Sequence, residues 1–409
     1  MSTRGSAAIV TVGSELIEGL RVDTNTAEIA RAITRRGFAV AETISIGDEV
    51  VLLAETLARV AASHELVITT GGLGPTHDDI TREAAARALR LPLLRDDRIA
   101  TGLGDVVARH TDPGSREAVL LQALVLEGAE VLGATTGTAP GQIVPTPAGL
   151  LVLLPGPPSE MRPMLASLVE RYPTALAEPV ELGVTGLSES DVQHAAQRAL
   201  AAFPRIVLTV LAKPGDVRVL LIDGGAGEQQ LAHAAAAVAA EIGPACYTTD
   251  GSTLAEALLR ACARRGLTLA TAESCTGGLV SAAITDVPGS SSAFLGGVVS
   301  YANSVKTDVL GVPEGLLAQF GAVSEETARA MAEGARKLLG ADLAVAVTGV
   351  AGPNGGSAEK PVGLVWFALA SASGTSSVST SFPRGGRDAV RARATAKALD
   401  LLRRAVLDT

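Results

Sequence analysis

In the first third of this chain, strand-like and helix-like segments take turns, and each of three strand-like runs ends in a polar turn rich in glycine or proline. AAIVTVG leads into GSE, ELVITT into GGLGPTHDD, and GLLVLL into PGPPSEM. Between them a helix carrying IARAITRRG starts with Thr24 or Asn25 as its cap and ends at Gly37, FAVAETISIG reads as a further strand, and DITREAAARALR is an amphipathic helix. Alternation of this kind specifies a doubly wound α/β sheet, mainly parallel. Ligands of such sheets bind beyond the carboxyl ends of the strands, which is where the three polar turns fall.

At 409 residues the chain is too long for one ordinary domain, and its pattern changes twice. Residues 171–250 read as a small α+β unit in the order strand, helix, strand, strand, helix, with a Pro-Gly hairpin between RIVLTVLAK and DVRVLLID. No chemistry-bearing cluster appears there, so this unit is expected to be a spacer or a dimerisation module. Residues 251–409 form a third, α/β unit. STLAEALLRACARRG and SEETARAMAEGARKLLG are helices, LAVAVTGVAG, VGLVWFALAS and SSVSTSF are strands, and GRDAVRARATAKALDLLRRA is a long closing helix. The expected domains are therefore 1–170, 171–250 and 251–409.

Composition narrows the function classes. Aromatic residues make up only 2% of the chain, so its cores have to be built from Ala, Val and Leu. The formal net charge of −9, with no basic stretch interleaved with aromatics, argues against a nucleic-acid or anionic-membrane surface. No apolar stretch approaches the roughly 18 residues of a membrane span. The opening MSTRGSAAIVTVGSE passes directly into a strand and lacks a leader layout. Cys246, Cys262 and Cys275 form neither a zinc pattern nor a disulfide framework. A reduced, cytoplasmic protein is expected.

Within the third unit, ESCTGG (Glu273 to Gly278) lies between the buried strand LTLATA and the apolar helix face LVSAAIT. That makes Ser274 and Cys275 a strand-to-helix elbow, where free N–H groups and the helix dipole favour developing negative charge. Ser274 is a candidate nucleophile and Cys275 competes with it. All five histidines lie upstream, at 64, 77, 110, 194 and 233, so a local base must be lysine, tyrosine or a carboxylate. Among Lys306, Lys337, Lys360 and Lys397, only Lys306 follows an apolar run, where burial would lower its pKa, and Tyr301 lies five residues before it. The alternative is that both are packing or surface residues. TGVAGPNGG, Thr348 to Gly356, either lets backbone approach a ligand or is a tight loop. Arg384 and Arg387 suit a phosphate or are simply exposed.

In the first unit, N–H groups of Gly71, Gly72 and Gly74 offer a phosphate cradle. Asp78 and Asp79 behind them either hold a divalent cation or cap the helix. Glu15 and Asn25 sit in neighbouring crevice loops, and His77 reads as an ordinary polar contact.

The run from ESCTGG through SYANSVK, GAVSEETA, TGVAGPNGGSAEKPVGLVWFA and FPRGGRDAVR resembles the nicotinamide mononucleotide deamidases over nearly all of 251–405. The resemblance implies hydrolysis of the nicotinamide amide to nicotinic acid mononucleotide and ammonia, with no cofactor. It implies Ser274 as nucleophile, Lys306 as base and Tyr301 assisting proton transfer. Thr348 supports the site and Arg387 binds substrate, with Thr276, Gly277 and Gly349 as further substrate-binding positions. GGLGPTHDD and LPGPPSEM resemble the molybdopterin-binding domains of molybdenum-cofactor biosynthesis, and the whole layout is similar to the full-length competence/damage-inducible CinA family. That resemblance implies cleavage of ADP-ribose to AMP and ribose 5-phosphate by the first unit. A divalent metal at Asp78 and Asp79, stimulation by potassium, and substrate contacts at Gly71, Gly72, Gly74, Glu15 and Asn25 go with it. It further implies a KH-type middle unit and a homodimer whose partners are small nucleotides rather than nucleic acid. The competing readings are a pterin-cofactor binder in the first unit, and a non-enzymatic competence or DNA-damage accessory protein.

Overall fold

The computed structural model describes residues 5–134 and 136–408; the first four positions of the opening segment lie outside them. The chain divides into two compact units, Met1–Ala177 and Glu178–Thr409.

The first unit is built on a six-stranded sheet. Its strand order is Ala39–Ile46, Ser6–Val12, Leu66–Thr70, Leu150–Leu154, Gly141–Pro145 and Glu130–Leu132. The first four strands are mutually parallel, Gly141–Pro145 runs against them, and Glu130–Leu132 pairs antiparallel to Gly141–Pro145. Parallel strands covered on both faces need apolar residues on both, and the inner strand Ser6–Val12 complies. Its Ala8, Val10 and Val12 pack with Leu53, Leu57, Ala84 and Ala85 of the helices Val50–Ser63 and Thr81–Leu89. Ala7 and Ile9 pack on the other face with Ile29, Ile33, Met161 and Leu165 of the helices Asn25–Thr34 and Pro158–Val169. The expected doubly wound class is what forms.

Two local readings change. Thr24 occupies the cap position without a side-chain bond, and Asn25 is the buried first residue of its helix. The cap is supplied one residue earlier, by Asp23, whose carboxylate accepts from the Thr26 N–H at 2.9 Å. The stretch between the helix Thr81–Leu89 and the strand Leu150–Leu154, unassigned from sequence, holds three short helices and four short strands. Three-residue strands such as Leu93–Arg95 and Glu130–Leu132 are too short to carry a readable alternation.

The second unit holds two sheets. The four-stranded antiparallel sheet has the order Ile206–Lys213, Asp216–Asp223, Val180–Val184, Cys246–Thr248. The expected hairpin turns at Pro214-Gly215, with Gly215 at φ +88°. The last, three-residue strand adds to the expected order. In the five-stranded sheet, Phe294–Val299, Leu269–Glu273 and Leu343–Gly349 run parallel, and Leu364–Ser371 and Gly374–Ser381 follow antiparallel. Helices Leu254–Arg265 and Gly386–Asp408 cover one face and Glu325–Leu339 the other. Both sheets belong to this one unit, and they are tied by Arg218, which donates to the carbonyls of Gly251 and Ser252, and by Arg403, which donates to that of Pro244. Among the described residues no helix is long and apolar enough to cross a membrane.

Candidate active sites

In the second unit the site forms where three parallel strands end side by side: Glu273, Val299 and Gly349 are their last residues. Ser274 follows the central strand, and its N–H continues the ladder to the Val347 carbonyl at 2.8 Å. The next residues turn sharply, with Gly277 at φ +61° and Gly278 at φ +95°, before the helix Leu279–Thr285 begins. The N–H groups of Gly277 and Gly278 are engaged, by the Ser274 carbonyl and the Glu273 carboxylate. Among the described residues the N–H groups of Cys275 and Thr276, which lie against the Cys275 sulfur, have no oxygen acceptor.

Lys306 lies on the short helix Asn303–Asp308 after the neighbouring strand and is only 1% exposed. Its Nζ donates to the Ser300 carbonyl at 2.7 Å, the Tyr301 carbonyl at 3.4 Å and Ser274 Oγ at 3.4 Å. Among the described residues no carboxylate stands within ion-pair distance of it. Burial therefore lowers its pKa below the ordinary lysine range, the nearby Cys275 opposing only in part. Cys275 is itself buried, and burial pushes its thiol up to about 11 with Glu273 adding to the rise. A thiol held protonated is a poor nucleophile. The lysine thus faces the serine, and burial holds the cysteine thiol protonated.

The remaining predicted residues fall into two groups. Arg387 reaches the mouth of the site, donating to the Gly352 carbonyl at 3.0 Å and to Tyr301 Oη at 3.3 Å. The Tyr301 phenol, in a side chain 63% exposed, therefore meets the arginine, whereas its main-chain carbonyl meets Lys306. Thr348 is buried and donates to the Ala322 carbonyl at 2.6 Å, bracing the end of its strand. Gly349 has no room for a side chain, since a Cβ there would stand 2.6 Å from the Leu364 carbonyl. Thr276 is fully buried with its hydroxyl unpartnered among the described residues. Its carbonyl accepts from Arg391 Nη2 at 2.9 Å, and a Cβ at Gly277 would lie 3.4 Å from the same nitrogen. Arg391 was missed from sequence, although it lies one helical turn beyond Arg387 on the same face. Glu273 was quoted within its motif but given no role, yet its side chain has four hydrogen-bond donors around it.

In the first unit a cavity of about 490 Å³ opens at the strand ends, lined by Glu15, Asn25, Gly71, Gly72, Gly74, Asp78, Asp79 and Glu160 among others. The expected residues do meet there, but the glycine turn works differently from a free cradle. The Gly71 N–H bonds the Leu154 carbonyl at 3.1 Å, and the Gly74 N–H bonds Asp79 at 2.7 Å. A side chain on Gly71 would run into the Val12 carbonyl, and one on Gly72 into the Thr81 hydroxyl. Of the three N–H groups, only that of Gly72 lacks an acceptor among the described residues. Asp79 also accepts from the Thr76 N–H at 2.8 Å and hydroxyl at 2.6 Å, so both its oxygens clasp the turn. Buried Arg82 secures the turn from beneath through the carbonyls of Leu73 and Gly74. Asp78 is half exposed, and His77 is fully exposed. Asn25 donates to Thr70 Oγ1 at 2.9 Å and the Gly156 carbonyl at 2.8 Å, leaving its buried oxygen without a partner. Burial raises the pKa of Glu160. No three His, Cys, Asp or Glu side chains gather as a metal cluster among the described residues.

Two family models match the chain: "CinA C-terminal domain" over residues 251–406 and "Probable molybdopterin binding domain" over residues 8–174. A CinA-like protein of Geobacter metallireducens is 40% identical, covering 98% of this chain and 99% of that protein. A CinA-like protein of Fervidobacterium nodosum is 35% identical over 98% of each. The crystal structure of the competence/damage inducible protein CihA from Agrobacterium tumefaciens is 45% identical, covers 38% of this chain and 93% of its own, and aligns with a TM-score of 0.36.

The two adjacent aspartates separate in a stability experiment. Asp79→Ala, which strips the glycine turn of three hydrogen bonds, is expected to cost about 1–3 kcal/mol. Asp78→Asn is expected to stay within about 0.5 kcal/mol of the parent. Urea unfolding followed by circular dichroism reads both; equal effects would contradict the clasp.

Proposed function

Because this chain belongs to the CinA family, with a molybdopterin-binding-like first domain, we propose that it is a bifunctional hydrolase of pyridine-nucleotide metabolism. Its second unit deamidates nicotinamide mononucleotide, and its first cleaves ADP-ribose. The observation that carries the first activity is the buried Lys306 amine, without a carboxylate, 3.4 Å from Ser274 Oγ at the elbow.

A lysine so placed acts as a base once it is neutral. As Ser274 Oγ bonds to the carboxamide carbon, the Lys306 amine takes the hydroxyl proton. The negative charge passes to the amide oxygen, which the N–H groups of Cys275 and Thr276 receive. Lys306 then returns its proton to the leaving nitrogen, the C–N bond breaks, and ammonia departs from the acyl-serine. Water, deprotonated by the same amine, attacks the ester and releases the carboxylate product and free Ser274. Arg387 at the mouth suits the 5′-phosphate, because a guanidinium fork matches anionic oxygens. The Tyr301 phenol, bonded to Arg387, is assigned to substrate positioning more than to proton transfer.

For ADP-ribose cleavage the support is the acidic cavity. The half-exposed Asp78, whose carboxylate also takes a hydrogen bond from Thr76, and Glu15 line this cavity, and such oxygen donors fit a cation that takes one or two carboxylates and completes its shell with substrate phosphates and water. When bound, a divalent cation supplies charge neutralisation at the diphosphate. Asp79 holds the turn that presents Asp78, and the free Asn25 oxygen suits a hydroxyl or amine of the nucleotide. Potassium stimulation and a homodimer through the middle segment complete the reading carried from the family. An AMP-release assay with and without potassium, and sedimentation of the full chain, test them.

Ammonia release from nicotinamide mononucleotide tests the deamidase. Ser274→Ala is expected to lose at least about 1,000-fold in kcat, and Cys275→Ala to stay within about 10-fold; full activity in the serine variant ends the mechanism. Since only the neutral lysine is a base and burial lowers its pKa, kcat should rise with pH and level off below the ordinary lysine value of about 10.4. A pH–kcat profile with its midpoint at that ordinary value would count against Lys306. In the same preparation Asp78→Asn is expected to abolish metal-dependent AMP release and leave ammonia release unchanged. Were neither product formed by the folded parent, the non-enzymatic accessory reading would take its place.

A further inference from the structure

The residue before the proposed nucleophile carries a carboxylate that takes no part in the proposed proton transfers. Glu273, the last residue of the central strand, is fully buried. Its Oε2 accepts from the N–H groups of Gly278 and Val280, each at 3.0 Å, and its Oε1 from the Ser281 N–H at 2.8 Å and hydroxyl at 2.7 Å. Those are the orphan donors of the helix that follows the nucleophile. A serine or asparagine cap would satisfy one of them from the adjacent position. Glu273 instead reaches across the whole elbow, so its side chain closes a loop that contains Ser274, Cys275, Thr276 and Gly277.

The main chain of the same residue holds the other half of the pair. Its carbonyl accepts from the Ser300 N–H at 2.7 Å, and the Ser300 carbonyl in turn accepts from Lys306 Nζ at 2.7 Å. The clamp continues away from the site: Ser281 Oγ also meets Thr271 Oγ1 at 2.7 Å. On the neighbouring strand Gly297 leaves room for these two hydroxyls, and a Cβ there would run into both. A buried carboxylate is costly unless its lone pairs are filled, and here four donors fill them.

We propose that Glu273 is the positioning residue of the elbow: its carboxylate clamps the first helical turn so that the Ser274 hydroxyl and the N–H groups of Cys275 and Thr276 keep their aim relative to Lys306. The catalytic consequence rests on the deamidase reading; the clamp itself does not. Displacement of reacting groups by about 1 Å costs on the order of 100-fold in rate. Glu273→Gln, which keeps the shape but puts a donor where an acceptor is required, is therefore expected to lower kcat for ammonia release about 30- to 100-fold. KM should stay within about 3-fold, because Arg387, which suits the substrate phosphate, is held by Gly352 and Tyr301 outside the clamped loop. Ser281→Ala, a milder change that removes one of the four bonds, should lower kcat about 3- to 10-fold with the same unchanged KM.

Both variants are made in the full chain. Hydrogen exchange of the amides at Gly278, Val280 and Ser281 is read beside the kinetics, with AMP release by the first unit as a check on folding. Faster exchange at those amides together with a loss confined to kcat supports the clamp. Parental kcat in Glu273→Gln, or a fall in kcat with exchange unchanged at the three amides, overturns it. Should Ser274→Ala keep full deamidation, the serine–lysine reading falls, and exchange alone decides: faster exchange in Glu273→Gln upholds the clamp, and parental exchange removes it.

Discussion

A parallel strand flanked on both sides has its backbone groups satisfied along its length and unsatisfied beyond its last residue, and this constraint decides where chemistry sits in both units. The strand Ser6–Val12 is buried almost throughout, and its chain meets the cavity only at its last residues, Thr11 and Val12, and at Gly13 and Glu15 just beyond. The strand Leu269–Glu273 is fully buried too, and the first group it releases is the Ser274 hydroxyl. Its parallel neighbours pair with Glu273 through Val299 and Val347, so Ser300, Tyr301 and Thr348 lie just beyond that level although they are far apart in sequence.

Two buried side chains, an amine and a carboxyl, then set the chemistry by opposite means. Lys306 is surrounded by carbonyl and hydroxyl oxygens with no carboxylate among the described residues, so its ammonium gains too little to offset the loss of water. Glu273 lies one residue from the serine and is filled by four donors, so it serves as a fixed acceptor. Exchanging these environments would set an ammonium against four N–H and O–H donors and a carboxylate against carbonyl oxygens, and neither would find a partner. The proximity of Glu273 also helps keep the Cys275 thiol protonated, which favours the neighbouring serine as nucleophile.

Much of the architecture was legible because its signals are local. The alternation of the first third, the Pro-Gly hairpin and the long closing helix each follow from periodicity within one segment. The three-residue strands left no such signal, being too short to carry a readable alternation. The candidate sites were legible as motifs and less so as contacts. Ser274 and Lys306 do meet, but the Tyr301 phenol turns to Arg387, and Asp79 and two of the three glycine N–H groups serve the loop itself. Glu273 could be seen in the string ESCTGG, but only folding brings the N–H groups of residues 278–281 around it. Arg391 lay within an unremarkable helical repeat until the elbow packed against it.

By itself, the sequence determined the alternation of elements, the elbow at Ser274, the absence of histidine after residue 233 and hence the short choice of bases. These are properties of residue order and residue type. Only the tertiary structure decided which lysine is stripped of water, which carboxylate is consumed as a clasp and which glycines are required by a neighbouring strand. Those are properties of burial and of hydrogen-bond partners, and both are assigned when distant segments close around a group.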